Sequence, residues 1–156
     1  MKQKVLSRAA LIKALIRERR KGRKIVFTNG CFDLIHLGHL KVFQKCRKWG
    51  PVLVVGLNDD RSVRRLKGPK RPIIRQEDRA QLLAGFEAID YVTIFPEDTP
   101  AELIAALKPD VLVKGGDWKA REIVGRDVVK KVVRVPLVKG RSTTNLIRII
   151  TQRYGR

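Results

Sequence analysis

Lys24-Ile25-Val26-Phe27-Thr28-Asn29-Gly30-Cys31-Phe32-Asp33-Leu34-Ile35-His36-Leu37-Gly38-His39 decides how the chain is read. Its first five residues form a short apolar run bounded by polar residues, the pattern of a buried strand. Asn29-Gly30 is a turn pair that stops it. A helix is expected over 38–49, closed by Gly50-Pro51, and a second strand over 52–57, where Val52-Leu53-Val54-Val55-Gly56-Leu57 is again apolar. Strand, loop, helix, strand is a βαβ unit, whose strands run parallel.

The pattern continues in both directions. Upstream, Ser7 caps a helix with Leu11/Leu15 and Ile12/Ile16 as apolar i,i+4 pairs, which ends in a basic turn and Gly22. Downstream, a basic loop precedes a helix over 76–86, a strand over 91–94, a helix over 99–107 with Pro100 in its first turn, and a strand over 111–113. A fifth strand fits 131–135, and Ser142 caps a last helix over 143–152. The expectation is an α/β fold, Rossmann-like and doubly wound, with a mostly parallel five-stranded sheet. It makes one domain over 1–156, with a core of about 23–152 behind an N-terminal helix; ligands of such sheets sit at the carboxyl ends of the strands.

The 156 residues hold 35 Lys and Arg against 15 Asp and Glu, a net charge of +20. Such a chain attracts polyanions, be they phosphorylated substrates, nucleic acid or anionic lipid; the other reading is a basic, solvated surface, heat-adapted or not. The charge is densest between Arg61 and Arg79, where Arg61, Arg64, Arg65, Lys67, Lys70, Arg71, Arg75 and Arg79 face only Glu77 and Asp78. No apolar run approaches the roughly 20 residues of a membrane span, and the charged start does not resemble a signal peptide, so the expectation is a cytoplasmic protein with no membrane partner. Cys31 and Cys46 allow one disulfide at most and no structural zinc site. No helix-turn-helix, zinc-finger spacing or RNA-binding aromatic motif is present, which argues against a specific nucleic-acid partner.

The loop after the first strand carries the chemistry. Gly38 allows close approach of the backbone, and the helix start beside His39 offers free N–H groups to an anion. His36 and His39, the two histidines of the chain, share a face of that helix start, where both could donate hydrogen bonds to phosphate oxygens. The same pair could ligate a metal or pack in the core, but of further ligands the loop supplies only Asp33, so no metal is expected. Cys31, between apolar neighbours, reads as a packing residue rather than a nucleophile.

His36-Leu37-Gly38-His39 behind Gly30-Cys31-Phe32-Asp33 resembles the HxGH signature of the nucleotidyltransferase superfamily, which includes cytidylyltransferases and heptose-phosphate adenylyltransferases. Aminoacyl-tRNA synthetases share a similar motif, but the chain is too short for one and lacks a Lys-Met-Ser-Lys-Ser element. Arg141-Ser142-Thr143-Thr144 resembles the superfamily's C-terminal Ser-Thr-Thr motif, and Lys114-Gly115-Gly116-Asp117-Trp118 its base- and ribose-contacting loop. Together with Lys67-Gly68-Pro69-Lys70-Arg71-Pro72-Ile73, Glu97-Asp98-Thr99-Pro100 and Val138-Lys139-Gly140-Arg141, these resemble most the heptose 1-phosphate adenylyltransferase branch, over about residues 4–152. Glycerol-3-phosphate cytidylyltransferases usually carry Arg-Thr-Glu-Gly-Ile before Ser-Thr; here Leu137 falls where that Arg would be.

The resemblance implies transfer of AMP from ATP to D-glycero-β-D-manno-heptose 1-phosphate, giving ADP-heptose and pyrophosphate. The alternatives are a cytidylyltransferase acting on glycerol 3-phosphate or another small alcohol phosphate, and an adenylyltransferase of FAD-synthetase type. It further implies His36, His39, Lys67 and Arg71 as catalytic residues, and Asn29, Gly30, Cys31, Phe32, Gly38, Lys114, Gly115, Gly116, Asp117, Ser142, Thr143 and Thr144 at the nucleotide. Arg79 is expected to support the mobile cations on the substrate side, and Asp33 either orients a substrate hydroxyl or caps its loop. Mg²⁺ would travel on the triphosphate, a separate sugar kinase would supply the acceptor, and the assembly would be a homodimer.

Overall fold

In the computed structural model the described residues are 3–116, 119, 122–136 and 138–155. Five strands, β1 (Ile25–Gly30), β2 (Val52–Asn58), β3 (Tyr91–Phe95), β4 (Val111–Gly115) and β5 (Lys131–Val135), form one sheet in the order β3-β2-β1-β4-β5. Every pairing is parallel. The six α-helices are α1 (Arg8–Arg20), α2 (Leu37–Arg47), α3 (Asp60–Lys67), α4 (Gln76–Ala84), α5 (Ala101–Leu107) and α6 (Thr143–Tyr154).

Strand alternation sorts the core into two layers. Ile25 and Phe27 point to one face with Leu11 and Leu15 of α1 and Leu103, Ile104 and Leu107 of α5. Val26 points to the other with Phe43 and Cys46 of α2 and Ala80 and Leu83 of α4. β2 is buried along its whole length, as a central strand covered on both faces must be. Next to β3 the chain before α1 adds one parallel bridge, Val5 to Val92, with Leu6 N–H donating to the Val92 carbonyl and Val92 N–H to that of Lys4.

β1 is the point where strand order reverses, since β2 and β3 lie on one side and β4 and β5 on the other. β1 and β2 stay in register from Ile25/Val52 to Gly30/Leu57, whereas β1 and β4 pair at Val26/Val111 and Phe27/Leu112. Beyond those two pairs the neighbours part, which opens a crevice at the carboxyl ends of β1 and β4, where ligands of this fold class bind.

The main departure from the expected layout is α3. The stretch read as a basic loop begins with a helix, because Asp59 caps it (Ser62 N–H donates to Asp59 Oδ1 at 2.7 Å) and Val63 is fully buried beneath it. A two-turn amphipathic segment with four basic residues carries too few apolar positions to show a period. Lys67 is therefore the last helical residue, before Gly68 at φ +97°, not a loop residue. Other boundaries move by a few residues: α2 starts at Leu37 and ends at Arg47, α4 stops at Ala84, and Pro100 is the cap of α5 rather than part of its first turn. Of the expected apolar pairs in α1, Leu11/Leu15 is buried, while Ile16 is exposed. Both cysteines are free thiols.

Candidate active site

A cavity of about 650 Å³ occupies the crevice. β1 delivers Thr28, Asn29 and Gly30 to it, the following loop Cys31, Phe32, Asp33 and His36, and the start of α2 Gly38 and His39. Lys114 and Gly115 enter from the end of β4, Ser142, Thr143 and Thr144 from the start of α6, and Lys67 and Arg71 from the far end of α3 and the segment after it. Arg79 and Gly116 do not line it, and Asp117 and Leu137 lie outside the described residues.

His36 is the N-cap of α2. Its Nδ1 accepts the Gly38 N–H at 3.1 Å, which assigns the ring proton to Nε2. The ring stacks on that of His39, centroids 3.8 Å apart and planes 22° from parallel. Phe32, held at φ +44°, sets its edge against His39 at 5.1 Å and also packs on Phe43. Burial, aided by the neighbouring His36, pushes His39 down to about 4, and burial lowers His36 as well, so both rings are neutral at pH 7. His39 Nδ1 is buried and finds no hydrogen-bond partner among the described residues, the mark of a polar atom whose partner is a ligand or water.

Gly38 is required by contact on two sides. A Cβ there would lie 2.8 Å from His36 Cε1 and 3.2 Å from the Arg141 carbonyl oxygen. Two motifs about a hundred residues apart in sequence thus abut, and the N-termini of α2 and α6 open onto the same cavity. Ser142 caps α6 by accepting Asn145 N–H at 3.1 Å, and Thr143 Oγ1 reaches the Leu34 carbonyl at 3.5 Å. The free N–H groups and positive dipole ends of two helices converging on one crevice suit an anion.

Two charged residues take roles that only the folded chain reveals. Asp33, left open between a substrate hydroxyl and a loop cap, is the cap: its carboxylate accepts the N–H groups of Ile73 and Ile74 and Arg71 Nε at 2.6–2.9 Å. Burial raises its pKa, but the two N–H groups and Arg71 outweigh it, and the net value lies below the ordinary 3.8. Arg79, expected near the substrate, is wholly buried. It donates to the carbonyls of Ile74, Cys31 and Asn58 and pairs with Asp60, so it braces the loops from behind. Arg71 gives only Nε to Asp33 and keeps its guanidinium fork on the cavity. Lys114 bridges the parted strands through Asn29 Oδ1 at 3.2 Å, with its pKa lowered by burial. Cys31 is pushed up by burial against the pull of Lys67, Arg79 and Arg71, so its thiol stays protonated.

Asn58, Asp98, Thr99, Pro100 and Arg141 also line the cavity; the last four stand in stretches that carry the family resemblance, but the sequence alone assigned none of the five a role at the site. The available signal was position: Asn58 ends β2, and Asp98–Pro100 follow β3, at the carboxyl edge that holds ligands. No three His, Cys, Asp or Glu side chains among the described residues converge on a metal position.

The sequence pattern of the cytidylyltransferase-like family matches residues 27–153. The chain is 52% identical over 155 residues to the bifunctional protein HldE of Trichlorobacter lovleyi and 54% identical over 155 residues to that of Syntrophotalea carbinolica, covering 97% of this chain and 32% of each relative. It spans about a third of the length of these curated relatives. Among solved structures, the lipopolysaccharide core biosynthesis protein of Thermoplasma volcanium superposes with a TM-score of 0.65 at 27% identity, over 76% of this chain and 100% of that one. Pantothenate synthetase of Thermus thermophilus, at TM-score 0.63 and 19% identity over 87% of this chain and 62% of that one, shares the fold. With the crevice, the paired imidazoles and the two helix starts in one place, these matches show that the chain belongs to the cytidylyltransferase-like family.

Proposed function

We propose that the chain transfers AMP from ATP to a sugar 1-phosphate, D-glycero-β-D-manno-heptose 1-phosphate, releasing pyrophosphate and forming ADP-heptose for lipopolysaccharide assembly. The observation that carries this reading is the convergence of His36, His39 and the starts of α2 and α6 on one cavity whose opposite wall presents Lys67 and Arg71. The names of the relatives, a bifunctional protein HldE and a lipopolysaccharide core biosynthesis protein, support the heptose acceptor.

An oxygen of the sugar phosphate attacks the α-phosphorus of ATP, the bond to the bridging oxygen breaks, and pyrophosphate leaves with the electron pair. No enzyme nucleophile is needed. The protein orients two polyanions that repel each other and stabilises the charge that spreads onto the α-phosphate. In this reading His39 Nδ1, without a partner among the described residues, and His36 Nε2–H serve the triphosphate, with His39 nearest the transferred group. The start of α6 receives the nucleotide's phosphates, while Lys114 and Gly115 belong to the adenosine side. Lys67 and Arg71 draw the leaving group and the acceptor phosphate together. The cavity's donors are imidazoles, cations and N–H groups, and among the described residues its buried carboxylate, Asp33, is already engaged, so Mg²⁺ would be held mainly by the triphosphate and water, where it would offset phosphate charge. A sugar kinase reaction has to supply the 1-phosphate.

Pyrophosphate release with ATP, CTP and GTP against heptose 1-phosphate, glycerol 3-phosphate, ethanolamine phosphate and FMN tests the reading. ATP with the heptose phosphate is expected to give the highest kcat/KM; preference for CTP with glycerol 3-phosphate overturns it.

A further inference from the structure

We infer that Asn58 and Asp98 form a hydroxyl-recognising subsite that makes the acceptor a polyhydroxylated phosphate; this deepens the reading of the same cavity given above. The sheet divides the crevice. Lys114 and Gly115 end β4 on one side of β1, whereas Asn58 ends β2 and Asp98 follows β3 on the other, beside Lys67 and Arg71. If the nucleotide takes the β4 side, the acceptor meets the β2–β3 side.

The two residues are locked to each other through one backbone segment. Asn58, 3% exposed, donates through Nδ2 to Ser62 Oγ at 3.2 Å and to the Glu97 carbonyl at 3.3 Å. The Glu97 carbonyl can only accept, so the amide cannot be flipped, and Oδ1 is the end left for the cavity that Asn58 lines. Asp98, the next residue along, accepts Arg65 Nε on Oδ1 at 2.7 Å, and Arg65 Nη2 is itself held by the Pro96 carbonyl at 2.8 Å. Among the described residues nothing donates to Asp98 Oδ2.

Two acceptor oxygens on the wall of a cavity that also holds Lys67 and Arg71, one from buried Asn58 and one from half-exposed Asp98, fit a ligand that donates. A phosphate oxygen does not, and a bare carboxylate repels it; a hydroxyl does. An ammonium group would also pair with a carboxylate, but Arg65 already half-neutralises Asp98, and Lys67 and Arg71 line the same cavity, so a further cation is disfavoured. The subsite therefore fits a sugar phosphate and not an amino-alcohol phosphate.

Steady-state kinetics of the whole protein with ATP and a panel of heptose, mannose and glucose 1-phosphates and ethanolamine phosphate test this, with thermal melting as the check on folding. Asp98→Ala is expected to lower kcat/KM for the best sugar phosphate by about 10- to 100-fold, the cost of a charged hydrogen bond to substrate, mainly through KM, while the KM for ATP moves less than about twofold. Asp98→Asn, which keeps an acceptor oxygen, recovers part of the loss. Arg65→Gln, which removes the ion pair and leaves the carboxylate, costs less than about threefold, whereas a purely structural role for the pair would make Arg65→Gln as harmful as Asp98→Ala. Equal harm from those two variants, an Asp98→Ala loss below threefold, or a wild-type preference for ethanolamine phosphate overturns the subsite. If the wild type prefers mannose or glucose 1-phosphate and Asp98→Ala loses that activity, the heptose assignment fails and the subsite stands.

Discussion

His39 combines three features that a surface histidine does not: a stacked imidazole neighbour, an aromatic edge behind it and a buried nitrogen without a protein partner among the described residues. If its hydrogen bonds strengthen as charge grows on the transferred phosphate, His39→Ala lowers kcat by about 10²–10³, roughly 3–4 kcal/mol, with a smaller change in KM. Pre-steady-state and steady-state measurements of pyrophosphate release separate the two, and an Ala variant with wild-type kcat would remove His39 from the chemistry. Titration gives a second handle. The free protein holds His39 at about 4, and a polyanion favours the imidazolium, so binding raises that value. Between the two values ATP binding takes up a proton and tightens as pH falls; calorimetry at about pH 5 in buffers of different ionisation enthalpy measures the uptake. For stability the sign is opposite. The depressed folded value means the unfolded chain binds the proton first, so stability falls as pH drops below the ordinary histidine value of 6.5 toward 4.

At the scale of elements, the segment after α3 is held from two sides, by Asp33 and by Arg79. Asp33 sits on the loop leaving β1, yet its carboxylate receives the N–H groups of Ile73 and Ile74 and the side chain of Arg71. Arg79 clamps the same region from α4 through the Ile74, Cys31 and Asn58 carbonyls. Replacing the buried Asp33 by Ala leaves the N–H groups of Ile73 and Ile74 without their acceptor, a loss of about 1–3 kcal/mol. The expected signature is faster amide exchange at Ile73 and Ile74 and a raised KM for phosphate substrates, with exchange in β1 and β2 unchanged. Unchanged exchange at 73 and 74 would show that the segment does not depend on Asp33. Because the folded pKa of Asp33 is depressed, its contribution is present above about pH 3.8 and is lost as pH falls through the folded value.

Over the whole molecule, the charge of +20 is not gathered on one face. Lys67, Arg71 and Lys114 line the cavity. At the opposite edge of the sheet Arg19, Arg23, Lys24, Lys108 and Lys130 surround Asp110, beside the C-terminal ends of α1 and α5. There Arg19 donates to the Leu107 and Lys108 carbonyls, which neutralises the negative end of α5 rather than building an anion site. Arg65 and Arg8 pair with Asp98 and Glu97. A charge so divided is expected to bind nucleic acid only as a diffuse cation. Fluorescence anisotropy with unrelated duplexes is expected to show sequence-indifferent binding that drops by orders of magnitude between about 50 and 200 mM salt. Sequence-selective binding at physiological salt would contradict this. No helix among the described residues is long and apolar enough to cross a membrane.

The alternation of apolar runs and capped helices was enough to read the doubly wound sheet, because buried parallel strands such as β2 are continuous hydrophobic segments whose signal is local. The loop from Asn29 to His39 was legible for the same reason: residue types at fixed spacing on a strand-to-helix turn constrain the local chemistry. What the sequence could not supply was direction. Asp33 and Arg79 are charged residues in a basic neighbourhood, and only the packed chain turns Asp33 onto a backbone 40 residues away and buries Arg79 among carbonyls. Asn58 and Asp98 lie on separate strand ends and become one wall when β2 and β3 pair. The contact of Arg141 with Gly38 likewise joins two helix starts that no local pattern connects. Periodicity and capping act within a few residues and are written in the sequence; which polar groups satisfy one another across the crevice is decided when the sheet closes and each buried donor must find an acceptor.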